Sequence, residues 1–315
     1  MKSSQKSYLV SFEEHAQQGA QQLGGKGLNL CRLFRAGFPV PPGFVVTAEC
    51  FFQYLKSSSL DRKIAQYRKE LDPDDLATVR KAATKISSLI LQLPFNGRFA
   101  SELKRRLTKL GLKRFSVRSS ATMEDSKSAS WAGELESFLN IAPQKIVPTI
   151  KRCWASFFSP RSLIYQTDKK KEFGLAVVIQ KMLDPDFAGV AFTQDPLTRR
   201  EDIVIEAGRG LGEVVVAGQI IPDRYIVIKE DLAIKKIEIN IQRIMRLNDR
   251  YGVKEIILTE EEGAEQKLSD IEVQRLAFVC LNLEKYFHYP QDIEWAMKEG
   301  KIYILQARPI VFHTT

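Results

Sequence analysis

Cysteine is scarce in this 315-residue chain, and its four copies, Cys31, Cys50, Cys153 and Cys280, lie far apart with no CxxC pair. A zinc centre or a disulfide framework is thereby set aside, and a reducing cytoplasm is the expected compartment. Long apolar runs are missing too. No stretch approaches the roughly 20 residues that a membrane helix needs, and Met1 to Val10 lacks the apolar run of about 7–15 residues that marks a secretory signal. No membrane partner is expected. Internal repeats of about 20–50 residues and low-complexity segments are also absent, which sets aside solenoids and propellers. With 18 glycines and 13 prolines the chain is neither collagen-like nor linker-like.

What is present is globular: 44% hydrophobic and 27% charged residues, over a length that fits one large α/β unit or two packed lobes. The excess of 47 basic over 38 acidic residues, net +9, suits a polyanionic partner. The basic clusters Lys104-Arg105-Arg106, Lys169-Lys170-Lys171 and Arg199-Arg200 are short and scattered. They read as solvated faces or a docking surface, and nucleic acid is not an expected partner.

The first third predicts helices. Gly27 to Ala36 carries apolar residues near helical spacing and stops at Gly37. Phe38 to Val46 is extended because Pro39, Pro41, Pro42 and Gly43 forbid a helix, and Thr47 caps a helix through Tyr54. Two more helices are expected at Pro73 to Leu91 and Gly97 to Leu110, the second ended by Gly111. Strands follow: Phe115 to Ser119, which puts Arg118 opposite Val117, then Leu135 to Ile141. Val147 to Phe158 reads as a helix. Leu175 to Met182 is a buried strand, expected to turn at Asp184-Pro185 and pair with Gly189 to Thr193. Strands at Ile203 to Glu206, Tyr225 to Lys229 and Ile234 to Ile239, a helix from Ser269 to about Phe287, and a terminal hairpin complete the reading. The two lobes, 1–180 and 181–315, join near Gln180 to Leu183.

Gly24-Gly25-Lys26-Gly27 precedes a helix, so its backbone N–H groups and one ammonium could face phosphate oxygens; an ordinary glycine turn is the alternative. No GxxxxGK[ST] spacing is present. Gly208-Arg209-Gly210-Leu211-Gly212-Glu213 lacks the third glycine of a dinucleotide fingerprint, and reads as a turn carrying Glu213 toward a ligand or as a structural turn. The run from Ser119 to Glu134, small and hydroxyl-rich around Trp131, has the composition of a loop that closes over phosphates or of a plain surface loop.

The terminal hairpin says most. Asp292, Glu294 and Ala296 share one face of Gln291 to Met297, and Ile293, Trp295 and Met297 the other. Ile302, Ile304, Gln306 and Arg308 share one parity in the second strand. A three-residue loop at Glu299-Gly300-Lys301 would set Glu294 opposite Gln306 and Asp292 opposite Arg308. A carboxylate beside an amide oxygen makes a sparse Mg²⁺ site completed by phosphates and water, with Arg308 on another phosphate oxygen. The alternative is a structural ion pair between Asp292 and Arg308.

Gly24-Gly25-Lys26-Gly27, Val117-Arg118-Ser119-Ser120-Ala121-Thr122 with Glu124-Asp125 and Ala129 to Gly133, Gln180-Lys181-Met182, Gly210-Leu211-Gly212-Glu213, Pro222-Asp223, Asp292-Ile293-Glu294-Trp295 and Leu305 to Pro309 occur in this order. Together, across nearly the whole chain, they resemble the nucleotide-binding part of phosphoenolpyruvate synthase, pyruvate phosphate dikinase and rifampin phosphotransferase. The resemblance implies an α/β ATP-grasp fold whose two lobes hold Mg-ATP in the cleft between them. Lys26, Arg118 and Arg308 would act on the phosphates. Gln180, Lys181, Met182 and Leu183 would receive adenine through the backbone, with Glu213 on the nucleotide side. Glu294 and Gln306 would hold the metal, and Asp292 would lie beside them. The family's chemistry splits ATP into AMP and phosphate while a histidine on a swivelling domain carries the phosphoryl group. None of His15, His288 and His313 sits in a Gly-rich Ser-His-Ala type of motif, and the chain stops five residues after Ile310. A phosphotransferase subunit acting with a separate histidine-bearing protein is therefore expected. A binding-only regulatory or scaffold module and a self-contained small-molecule kinase are the other readings.

Overall fold

The computed structural model describes residues 7–14, 19–122, 136–167, 174–250 and 252–312. His15, His313, Lys169 to Lys171 and positions 123–135, with Glu124, Asp125 and Trp131, lie outside them. The chain is α/β and divides into two compact units, Met1–Arg35 with Pro42–Met182, and Ala36–Pro41 with Leu183–Thr315. The six-residue excursion at Ala36–Pro41 has no counterpart in the division expected from sequence.

In the first unit, β1 (Leu9–Ser11), α1 (Ala20–Arg35), β2 (Gly43–Val46), α2 (Ala48–Ser57), α3 (Leu60–Lys69), α4 (Leu76–Gln92), α5 (Gly97–Leu110), β3 (Phe115–Ala121), β4 (Ser137–Ile141), α6 (Ile146–Ser156), α7 (Pro160–Thr167) and β5 (Leu175–Lys181) follow in order. The strands form one antiparallel sheet, β1-β2-β5-β3-β4. Helix starts follow their caps: Thr47 Oγ1 accepts from Cys50 N–H, Asp75 from Ala77 and Thr78, and Asn96 from Phe99. Asp75 moves the α4 start to Leu76, three residues past the Pro73 expected. Helix α5 ends on Gly111 in the left-handed region, as its sequence predicts. The core is aromatic: Phe51, Trp154, Phe157 and Phe158 are buried together, and Tyr54 donates its hydroxyl to the carbonyls of Ile90 and Leu93, at 2.6 and 2.9 Å.

The second unit runs β6 (Phe187–Phe192), β7 (Ile203–Arg209), α8 (Glu213–Val216), β8 (Asp223–Val227), β9 (Ile234–Glu238), β10 (Ile244–Asp249), β11 (Gly252–Ile257), α9 (Glu260–Ala264), α10 (Asp270–Phe287), β12 (Gln291–Lys298) and β13 (Lys301–Pro309). Its antiparallel sheet has the order β13-β12-β6-β7-β8-β9, and β10-β11 is a separate two-stranded ribbon. Helix α10, opened by a Ser269–Glu272 capping box, packs on β7, β8, β9 and β12. The expected pairing of the 175–182 and 189–193 strands does not occur. Both edges of β5 are taken by β2 and β3, and both edges of β6 by β12 and β7, so Asp184-Pro185 connects two sheets and closes no hairpin.

A buried ion pair ties this unit together. Lys267 and Asp223 side chains are fully buried, with Nζ 3.0 Å from Oδ1. Lys267 also donates to the carbonyls of Asn240 and Gly263, both at 2.8 Å. Asp223 further accepts from Lys267 N–H, Asn240 N–H and the Tyr225 hydroxyl. The four cysteines are buried and unbridged. Burial pushes the Cys31, Cys153 and Cys280 thiols up to about 12, which keeps them protonated and unreactive.

Among the described residues, no helix is long and apolar enough to cross a membrane.

Candidate functional site

In the first unit, Lys26 sits on a break in α1. Gly24 has φ +67°, and a Cβ there would run into Ser120, so only glycine permits this approach of helix to strand. The Ser120 hydroxyl bridges the break, accepting from Gly27 N–H at 3.1 Å and donating to the Leu23 carbonyl at 3.0 Å. One of the backbone donors expected to face phosphate is thus satisfied inside the protein. Lys26 Nζ lies 3.4 Å from the Ser119 carbonyl. On the adjacent strands Arg118 and Gln180 are both buried, and an Arg118 terminal nitrogen donates to Gln180 Oε1 at 2.5 Å. Lys26 is thereby brought against β3, the strand that carries Arg118, through Ser119 and Ser120.

The segment expected to meet adenine through its backbone is partly committed. Lys181 N–H donates to Pro42 and Met182 N–H to Arg114, at 2.9 and 3.1 Å. Leu183, the first residue of this stretch to belong to the second unit, offers its carbonyl to Asn248 Nδ2 at 2.7 Å.

In the second unit, β12 and β13 bring four site residues together. Asp292 pairs with Arg308 and Glu294 with Gln306, the register expected. The turn differs. It is a two-residue loop, Glu299-Gly300, with both residues at positive φ, as a type I′ hairpin demands. The missing residue is restored by a bulge opposite Glu294/Trp295, where Leu305 is the extra residue. A bulge flips the parity of the strand. Ile302 and Ile304 therefore join Ile293, Trp295 and Met297 in the core, while Gln306 and Arg308 stay on the face of Glu294 and Asp292. All four expected to share one face are thus split in two pairs, and only the polar pair reaches the site.

Arg308 Nε and a terminal nitrogen each lie 2.8 Å from Asp292 Oδ2. The ion pair and the shared polar face thus coexist. Gln306 is 4% exposed. Among the described residues, no three His, Cys, Asp or Glu side chains cluster as a metal group. Beside the Asp292–Arg308 pair, the hairpin face carries the Glu294 carboxylate and the Gln306 amide.

Glu206 extends this face and escaped the sequence reading. The register aligns Gln306, Glu294, Val190, Glu206 and Arg224 across five strands. Burial raises the Glu206 carboxyl pKa, and the Arg224 charge partly offsets this. Alternation of β7 could have shown it, but only once the strand order was known. Glu213 opens α8, and its Oε1 lies 3.0 Å from an Arg246 terminal nitrogen, with Glu255 on the far side of the guanidinium. The Glu213 contact raises the Arg246 pKa.

Comparison with known proteins places the chain in a family. The family described as pyruvate phosphate dikinase, AMP/ATP-binding domain, matches residues 20–315. A probable phosphoenolpyruvate synthase of Methanocaldococcus jannaschii is 37% identical, covering 96% of this chain and 26% of that relative. A second, from Archaeoglobus fulgidus, is 35% identical and covers 91% and 39%. The chain thus spans well under half the length of these relatives. Among solved structures, a D-alanine–D-alanine ligase of Bacillus anthracis is similar over 73% of this chain and 57% of its own, at 12% identity and a TM-score of 0.30. Since the family match runs through both units and takes in every candidate residue from Lys26 to Arg308, the chain belongs to the pyruvate phosphate dikinase AMP/ATP-binding domain family.

Proposed function

We propose that this chain is the ATP-using part of a phosphoenolpyruvate synthase-like phosphotransferase. It binds Mg-ATP in the ATP-grasp manner and passes a phosphoryl group to a histidine on a separate domain or subunit, with release of AMP and phosphate. The observation that carries this reading is the polar face of β12–β13, where Glu294 meets Gln306 and Asp292 holds Arg308.

The donor set fits Mg²⁺. Two protein oxygens of hard character leave the other coordination positions to phosphate and water, the habit of Mg²⁺ in nucleotide sites. Glu294 and Gln306 would hold the ion, whose chemistry is to neutralise phosphate charge. Phosphoryl transfer needs positioning and charge neutralisation more than covalent help, and the chain's cations supply both. Asp292 fixes the Arg308 guanidinium, Gln180 fixes Arg118, and the Gly24 break fixes the backbone that carries Lys26. Each cation is held in advance, so little reorganisation is left for the reaction itself.

Product analysis tests the reaction class. With Mg-ATP and a separately supplied phosphohistidine domain of a phosphoenolpyruvate synthase, AMP and phosphate are expected, with acid-labile label on the histidine domain. ADP as the product would support a direct small-molecule kinase, and binding without any product a regulatory module.

A further inference from the structure

Strand β10 contributes two side chains that the sequence reading passed over. Arg246 and Asn248 are two residues apart and so share one face of the strand. Arg246 meets Glu213 at 3.0 Å. Asn248 Nδ2 donates to the Leu183 carbonyl at 2.7 Å and contacts Asp184 Oδ1 at 3.3 Å. Both of those partners are acceptors only, which fixes the amide: nitrogen toward Leu183 and Asp184, oxygen away from them. That oxygen, Asn248 Oδ1, is buried and has no hydrogen-bond partner. A dry carbonyl is costly in a folded protein, and one that persists calls for a donor that arrives with something else.

The surroundings say what that donor belongs to. Leu183 packs with Ala188 and Ala296, and the half-buried Tyr303 and Leu305 complete an apolar cluster. Ala296 lies on the same face of β12 as Glu294 and Asp292, about 7 and 14 Å along the strand. A nucleotide laid along this face, with its phosphates toward Glu294 and Arg308, carries its base to the apolar end where Asn248 stands.

We infer that Asn248 selects the base: its Oδ1 accepts a hydrogen bond from the 6-amino group of adenine. Guanine and hypoxanthine carry an oxygen at that position and would set two acceptors against each other. This rests on the nucleotide reading above, and the following experiment separates the two. Calorimetry of the unmodified chain with Mg²⁺ compares ATP, GTP and purine riboside triphosphate, which lacks the 6-amino group. ATP is expected to bind about tenfold more tightly than the analogue without the 6-amino group, the worth of one neutral hydrogen bond, and GTP more weakly still. In Asn248→Leu, ATP affinity should fall to that of the analogue while the analogue's own affinity stays put. Equal binding of ATP and the analogue by the unmodified chain overturns the inference alone, as does discrimination that survives in Asn248→Leu. No binding of any nucleotide by the unmodified chain overturns the nucleotide reading and the inference with it. The analogue comparison needs no variant, so a poorly folded Asn248→Leu does not remove the test.

Discussion

Asp223→Ala is expected to lower the unfolding free energy of the second unit by about 3–5 kcal/mol, the range for breaking a buried pair by removing one partner. The reason lies in what is left behind. Lys267 has a fully buried side chain, and without Asp223 its ammonium keeps only the Asn240 and Gly263 carbonyls. Three donors, Asn240 N–H, Lys267 N–H and the Tyr225 hydroxyl, lose their acceptor as well. Urea unfolding measures the effect. The double variant Asp223→Ala with Lys267→Met should recover part of the loss, because the stranded charge is gone. A loss below about 1 kcal/mol, within the range of exposed pairs, would mean that the network does not organise this unit.

Glu294→Ala should weaken Mg²⁺-dependent ATP binding by about 100-fold, at or beyond the upper end of what loss of a metal's supporting contacts costs. The fold should tolerate it. The opposite face of β12 is carried by Ile293, Trp295 and Met297, all buried and untouched by the change, and the Asp292–Arg308 ion pair keeps both of its members. The ligand-free variant should therefore unfold at nearly the same temperature as the parent chain. A collapse of thermal stability would make Glu294 a structural residue and remove it from the site.

The contrast between these two carboxylates shows what the sequence could and could not convey. Glu294 was legible because strand alternation and hairpin geometry are local, and because its motif resembles a known family. Asp223 belonged to a quoted motif too, yet its partner Lys267 is 44 positions away, and nothing in a one-dimensional pattern joins them. The hairpin itself gave the right pairs at Glu294 and Asp292 through a loop one residue too long. A two-residue turn and a bulge at Leu305 add up to the same register, and only the burial of Ile302 and Ile304 separates the two solutions. Helices with explicit caps, at Thr47 and Asn96, were readable. Helix α3 was not: its left-handed Ser59 makes no side-chain cap, and only Leu60 and Ile64 are buried. The β10–β11 ribbon went unseen for a related reason. None of its residues is buried, so no strong alternation of apolar and polar positions marks it. Arg246 and Asn248 were lost with it. The 175–182 and 189–193 strands lie in different sheets, and the turn chemistry of Asp184-Pro185 does not say which sheet the next strand enters.

The central claim, that this chain binds ATP through a Mg²⁺ site on β12–β13, is tested most directly by titrating the unmodified chain with ATP in the presence of Mg²⁺ and again with the metal chelated. Saturable binding that weakens at least about tenfold without Mg²⁺, a difference of about 1.4 kcal/mol, is the expected result. Equal affinity in both conditions, or no binding in either, would contradict it.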